Sequence, residues 1–283
     1  MLPLRHTAFI VGLLFAALLP CGSAFSANQP AVALPTYVAP EQEEKPRFVY
    51  LTPASVAYKQ LPKPPKVKSK SWKSDIGKII QIQKYAAPHE IAAARYEHRL
   101  RPDILTDVLG PNFSRIKLPK TFVLLDNVAS DSKAVTKQAK DHWHLPRPYV
   151  ADKRVKLLVP ALHPKNFAYP SGHTSTSLVL ANLLGSLVPE AHFVLQHQAG
   201  RIANRRVLAG VHTPHDLTGG RVLGALIWQK LQAQSAFQDD FAAARAELAA
   251  SDYRWIAPGC TTSAQPTKPA RKNWKSFKSR ITE

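Results

Sequence analysis

From Ser74 onward the apolar residues recur at helical spacing, and prolines and glycines cut the pattern into separate helical segments. Ile76, Ile79, Ile80 and Ile82 fall mostly on one face of a helix predicted over Asp75 to Ala86. A second is expected to begin near Pro88 and run through Ile91, Ala94 and Tyr96, and a third to cover Ser130 to His142. Leu145-Pro146-Arg147-Pro148 follows as a loop, because its prolines cannot continue a helix and hold Arg147 extended.

Farther on, Gly172 to Leu187 is an apolar-rich helix ended by Pro189, and Pro189 to Leu208 the next, with Ala199, Ile202, Ala203 and Val207 as its buried stripe. Thr213 has the chemistry of an N-cap and Pro214 that of a first helical residue, opening a buried helix that runs through Leu217 to Leu231. Gly220 and Gly224, four apart, let a neighbouring helix approach closely. Strand signals are scarce and internal repeats absent, so a single, mostly helical domain of the all-α class is expected over residues 74–250.

The two ends read differently. Arg5-His6, the apolar run Thr7 to Leu19 and the small residues Gly22-Ser23-Ala24 predict a signal peptide over residues 1–24, since the run is short for a bilayer span; an uncleaved N-terminal anchor is the alternative. Cleavage there would remove Cys21 and leave Cys260 alone, which excludes a disulfide framework and suits a periplasmic or secreted protein. Residues 25–73 are a Pro/Lys-rich linker, in which Phe48-Val49-Tyr50-Leu51 is the stretch expected to dock on the domain, and residues 251–283 a basic tail. The net charge is +19, or +18 without Arg5, and much of it lies in these flanks. Disordered, solvated flanks account for it, with peripheral attraction to an anionic envelope surface. No recognition element for specific nucleic-acid binding accompanies the charge.

Three blocks inside the helical region carry chemistry: Lys140-(six residues)-Arg147-Pro148, Pro170-Ser171-Gly172-His173, and Arg206-(five residues)-His212-(three residues)-Asp216. Phosphoryl transfer needs a charged group held in line and its equatorial oxygens stabilised by fixed donors. Lys140 offers a point charge and Arg147 a planar fork. Ser171 and Gly172 open a helix whose free N–H groups form an anion cradle. Arg206 ends one helix and His212 precedes the next, so both can face one pocket, and Asp216 can accept from one ring nitrogen of His212. Each block alone has a plainer reading: surface cations, a helix cap with a solvated His173, and a capping box Thr213-x-x-Asp216. Their conjunction is what favours a site.

In these blocks the chain resembles the type 2 phosphatidic acid phosphatase superfamily, in particular the class A bacterial non-specific acid phosphatases, which share their site with vanadium-dependent haloperoxidases. The resemblance implies the bundle fold of the acid phosphatase/haloperoxidase type and a phosphomonoester hydrolase that needs no cofactor or metal. It implies His212 as the nucleophile forming a phosphohistidine, Asp216 as its orienting carboxylate, and His173 as the acid that protonates the leaving alcohol and then activates water. Lys140, Arg147, Ser171, Gly172 and Arg206 would bind phosphate oxygens. The expected partner is a phosphorylated small molecule or a lipid phosphate. Arg205 departs from the pattern, standing where the family has serine, and is expected either to add charge at the pocket rim or to leave one phosphate contact missing. Two histidines with ordinary pKa near ~6.5 and opposite protonation needs predict a bell-shaped, mildly acidic to neutral pH profile.

Three other readings compete. His142-x-His144 and His212-x-x-His215-Asp216 could be metal ligands of a metal-dependent phosphohydrolase. The same cradle could hold vanadate in a haloperoxidase. Lastly, the basic ends could make the chain a polyanion-binding envelope protein with a vestigial pocket.

Overall fold

The computed structural model describes residues 47–52, 58–162 and 166–257, all within the unit Ala39–Glu283. The expected signal peptide, both cysteines, the first part of the linker and the tail from residue 258 lie outside the described residues. Among the described residues every regular element is helical: α1 Lys70–Lys84, α2 Pro88–Tyr96, α3 Pro119–Trp143, the single turn α4 Pro148–Ala151, α5 Gly172–Leu187, α6 His192–Leu208, α7 Pro214–Gln232 and α8 Ser235–Ala250, with short 3-10 turns between some of them.

The centre of the bundle is α5, packed against α3, α6 and α7 and touching α8. Its Val179, Leu180, Ala181, Leu183 and Leu184 are fully buried, as befits a helix that is apolar on most of its circumference. Polar residues on its first turns are buried too, and they pair with α3: Thr136 with Ser175 at 2.9 Å, and Ser132 with Thr176 at 2.8 Å. Buried hydroxyls satisfied in this way fix the register of the two helices without leaving a desolvated group unpaired.

On the opposite side α7 comes very close. A Cβ at Gly220 would lie 2.7 Å from the carbonyl oxygen of Ser171, and one at Gly224 would lie 2.8 Å from that of Ser175. The expected close approach is therefore that of α5, and it presses α7 against the residues that open α5.

Helix bounds reflect start signals more than periodicity. α5 has its expected limits, whereas α3 begins at Pro119 rather than near Ser130 and runs for 25 residues. Pro189 starts a 3-10 turn, Pro189–Ala191, before α6 proper. α1 begins at Lys70, capped by Ser69, whose hydroxyl accepts from the N–H of Trp72 at 3.3 Å. The turn α4 opens directly after Arg147, which keeps the extended φ −64°, ψ 146° that its prolines impose. The short stretch around Tyr50 does dock: the N–H groups of Val49 and Tyr50 donate to the buried carboxylate of Asp131 on α3 at 2.8 and 2.9 Å, and Tyr50 and Leu51 are buried.

Candidate active site

A cavity of about 1050 Å³ opens at the end of the bundle where α3 and α6 finish and α5 and α7 begin. Lys140, Arg147, Gly172, His173, Arg206 and His212 all line it, so the three sequence blocks converge on one space. Ser171 and Asp216 stand behind the wall, both fully buried. Three segments distant in sequence thus meet at helix ends, and the starts of α5 and α7 are where backbone N–H donors lack intrahelical partners.

Each side chain is held by identifiable partners. Arg147 donates from Nε to the carbonyl of Asn166 and from Nη2 to the Asn166 side-chain oxygen, both at 2.8 Å, and from Nη1 to the carbonyl of Val211 at 2.8 Å. The same Nη1 donates to Nε2 of His212 at 2.7 Å. Lys140 donates to the carbonyl of Phe167 and lies 3.4 Å from the side-chain oxygen of Asn166. Arg206 is almost fully buried, with Nη1 3.3 Å from the carbonyl of Ala94, while its Nε has no hydrogen-bond partner.

Thr213 and Asp216 form the capping box of α7: the Thr213 N–H donates to Asp216 Oδ2 at 2.7 Å, and the Asp216 N–H donates to the Thr213 hydroxyl at 3.2 Å. The same Oδ2 stands 3.5 Å from Nδ1 of His212, so the cap and the histidine share one oxygen. Oδ1 of Asp216 is buried without a partner.

Ser171 is the N-cap of α5; its hydroxyl accepts from the Thr174 hydroxyl at 2.9 Å and lies 3.4 Å from the Thr174 N–H. His173 follows on the first turn, its Nε2 2.9 Å from the carbonyl of Glu97 at the end of α2. A carbonyl only accepts, so Nε2 carries the hydrogen and Nδ1 is the nitrogen free to gain or lose a proton.

The field of the site is strongly positive. Burial, with the mutual repulsion of Lys140, Arg147 and Arg206, pushes Lys140 well below the ordinary lysine range. Burial brings Arg147 and Arg206 down to about 10. His212 and His173 are both driven well below the usual imidazole value, by burial first and then by the nearby guanidinium groups. Burial also raises Asp216, to about 6, against the opposing hydrogen bonds of Thr213 and the charge of Arg147. Cations gathered in a partly closed space favour the entry of a multiply charged anion.

Arg205 does not reach the pocket rim, contrary to one sequence expectation. It is buried on the far side of α6, donating from Nε to Glu90 at 2.6 Å and from Nη1 to Glu97. The histidines read as possible metal ligands with His212 have other partners, although His144 also lines the cavity. His215 pairs through Nδ1 with the buried Asp75 of α1, His144 packs against Phe167 with ring centroids 4.6 Å apart, and His142 lies edge-on to Trp143. Among the described residues no set of three His, Cys, Asp or Glu side chains is arranged to hold a metal ion.

Two contributors escape a sequence reading. Asn166 anchors both Arg147 and Lys140, and the main chain of Glu97 holds His173; neither an isolated asparagine nor a carbonyl has a sequence signature. Thr136 and Lys137 also line the cavity from α3, and their spacing before Lys140 points to them only once the helix is placed.

The chain is similar in sequence to known acid phosphatases. A "Non-specific acid phosphatase" of Salmonella typhimurium is 30% identical over 148 residues, 51% of this chain and 59% of that protein. An "Acid phosphatase" of Zymomonas mobilis is 27% identical over 147 residues, 49% of this chain and 53% of that one. The chain thus spans a little over half the length of the curated relatives it matches. A solved structure, the first transmembrane PAP2 type phosphatidylglycerolphosphate phosphatase from Bacillus subtilis, aligns over 59% of this chain and 87% of its own at 19% identity, with a TM-score of 0.35. Among the described residues no helix here is long and apolar enough to cross a membrane. The PAP2 superfamily matches residues 123–236, from the middle of α3 to the start of α8. Residues 123–236 match the PAP2 superfamily, and the three blocks that meet at the cavity lie within that span.

Proposed function

We propose that this chain is a phosphomonoester hydrolase of the acid phosphatase type, working without a metal through a phosphohistidine at His212. The observation that carries the reading is the orientation of His212: Nε2 faces the cation cluster, 2.7 Å from Arg147, while Nδ1 faces Asp216. Arginine can only donate, and its Nη1 lies 2.7 Å from Nε2 against 3.4 Å from Nδ1, so Nε2 holds the lone pair and Nδ1 the hydrogen. That is the tautomer a nucleophile needs, and the depressed basicity of the ring keeps it neutral.

Lys140, Arg147, Arg206 and the N–H groups opening α5 would clamp the phosphoryl oxygens. A bond forms from Nε2 of His212 to phosphorus as the ester P–O bond breaks, and Nδ1 of His173 gives its proton to the departing alkoxide. Asp216 stabilises the positive charge that develops on the His212 ring. In the second half-reaction water attacks phosphorus, its proton goes to His173, and the P–N bond breaks to release phosphate and neutral His212. Ser171 acts as the cap that holds the cradle, and Gly172 as its close-approach backbone, where a Cβ would come within 3.3 Å of Thr136.

The cavity is far larger than one phosphate requires and falls in the range of drug-sized ligand sites. Leu100, Ala161, Leu162 and Phe167 on its wall favour leaving groups with apolar surface, so lipid phosphates stand beside small organic phosphates as candidate substrates. A periplasmic or secreted setting, as read from the N-terminal sequence, fits an acid phosphatase. A panel of phosphomonoesters assayed for phosphate release with the full chain and with His212→Ala tests the reading. Release from at least one ester that disappears in the variant supports it, and equal release from both proteins overturns it.

A further inference from the structure

The His173 ring is held by the main-chain carbonyl of Glu97, which lies outside the PAP2 match, and the side chain of Glu97 is held by Arg205, the residue that departs from the family pattern. Glu97 is the C-cap of α2, its N–H donating to the carbonyl of Ala93 at 2.9 Å. Its own carbonyl accepts from Nε2 of His173 at 2.9 Å. Its carboxylate is buried and pairs with Nη1 of Arg205, while Nε of Arg205 reaches Glu90, about two turns back on α2, at 2.6 Å. Arg201, one turn earlier on α6, completes the clamp on Glu90 at 2.9 Å.

A single guanidinium therefore spans two carboxylates of α2 and sets where the end of that helix lies relative to α5. Serine is too short to bridge them, and lysine lacks the planar fork to serve both. The chain end at Glu97 is also where the cavity wall continues through Arg99 and Leu100.

We propose that Arg205 is a positioning residue for proton transfer: by fixing Glu97 it fixes the carbonyl that keeps the hydrogen on Nε2 of His173 and aims Nδ1 at the leaving-group oxygen. This rests on the phosphoryl transfer proposed above. The arginine touches neither substrate nor phosphate; it acts through the main chain of Glu97 on a ring two helices away.

The role has a signature that general loosening lacks. An alkyl phosphate expels a strongly basic alkoxide and depends on the proton from His173, whereas 4-nitrophenyl phosphate expels a weakly basic phenolate that leaves without it. The ratio kcat/KM covers the steps up to departure of the alcohol, so it isolates this half-reaction. The experiment measures kcat/KM of the full chain, Arg205→Ser and Glu97→Gln on both esters, with thermal unfolding as the control for folding. Arg205→Ser is expected to lose about 10-fold or more on the alkyl ester, a fraction of the 10²–10⁴ that general acid catalysis supplies, and less than about 3-fold on the aryl ester. Glu97→Gln keeps an oxygen for Arg205 and removes the charge, and is expected to show the same bias at smaller size. If Arg205→Ser does not fold, Glu97→Gln decides alone. Equal losses on both esters, or no loss on either, overturn the inference. If the unaltered chain hydrolyses neither ester, it is the phosphatase reading that fails.

Discussion

Arg147 and His212 share a hydrogen bond of 2.7 Å between Nη1 and Nε2, and it sets which ring nitrogen of His212 carries the hydrogen. A guanidinium donates and never accepts, so the lone pair of His212 points toward the cations and its hydrogen toward Asp216. An incoming phosphate would take over that donor and present phosphorus to the same lone pair. One contact thus links the proposed anion clamp to the proposed nucleophile. The Arg147→Lys variant keeps a charge but loses the fork to Asn166, Val211 and His212. Catalytic efficiency is expected to fall by about 10-fold or more, with a rise in KM, in steady-state assays on any ester the chain accepts.

Asp216 serves two partners, and they can be separated. Thr213→Ala deletes the hydroxyl half of the capping box but leaves the backbone N–H of residue 213 on Asp216, so it is expected to cost about 1 kcal/mol of stability and little activity. Asp216→Asn leaves an oxygen for the cap and removes the charge facing Nδ1 of His212. This variant is expected to turn over about 10-fold more slowly, or worse, with a smaller change in melting temperature. Chemical denaturation and kinetics on both variants check the split.

The pH profile should differ between kcat/KM and kcat. In the free protein His173 is held well below its usual pKa by burial and Arg206, which disfavours the protonated acid. A bound phosphate dianion adds negative charge beside the ring and favours the protonated form, raising its pKa. The alkaline limb of the kcat profile, which reports the complex, is therefore expected at higher pH than that of kcat/KM, which reports the free protein. Coincident limbs, or the reverse order, would contradict the electrostatic account.

Gly220 and Gly224 test how far the packing supports the site. Both lie where α7 touches backbone carbonyls of α5, so alanine at either is expected to destabilise by about 1–3 kcal/mol through overpacking. Only Gly220 abuts Ser171 and Thr174. Gly220→Ala should therefore lose activity beyond its loss of stability, while Gly224→Ala retains turnover at temperatures where it stays folded. Melting curves paired with assays well below the transition distinguish the two.

Sequence and structure agree best where residue chemistry and helix punctuation coincide. Gly172–Leu187 has its expected bounds because a cap, a glycine and a following proline mark both ends, and Thr213-Pro214 marks α7 as plainly. α8 has no such marks, since its apolar stripe of Phe237, Phe241, Ala244 and Leu248 is diluted by alanines and carries no strong cap. Convergence of Lys140, Arg147, Gly172, His173, Arg206 and His212 is foreseeable from their conjunction. The supports are not: Asn166 is one polar residue in a loop, Glu97 acts through its main chain, and Arg205 fits the rim as well as the far side until α2 is seen to pack on α6.

The most direct test of the account is to trap the phosphoenzyme. Quenching the full chain during turnover of a ³²P-labelled monoester is expected to leave label that is stable in base and labile in acid, as a P–N bond is, and His212→Ala is expected to leave none. Label that survives acid, or that persists in the folded His212→Ala variant together with turnover, would contradict it.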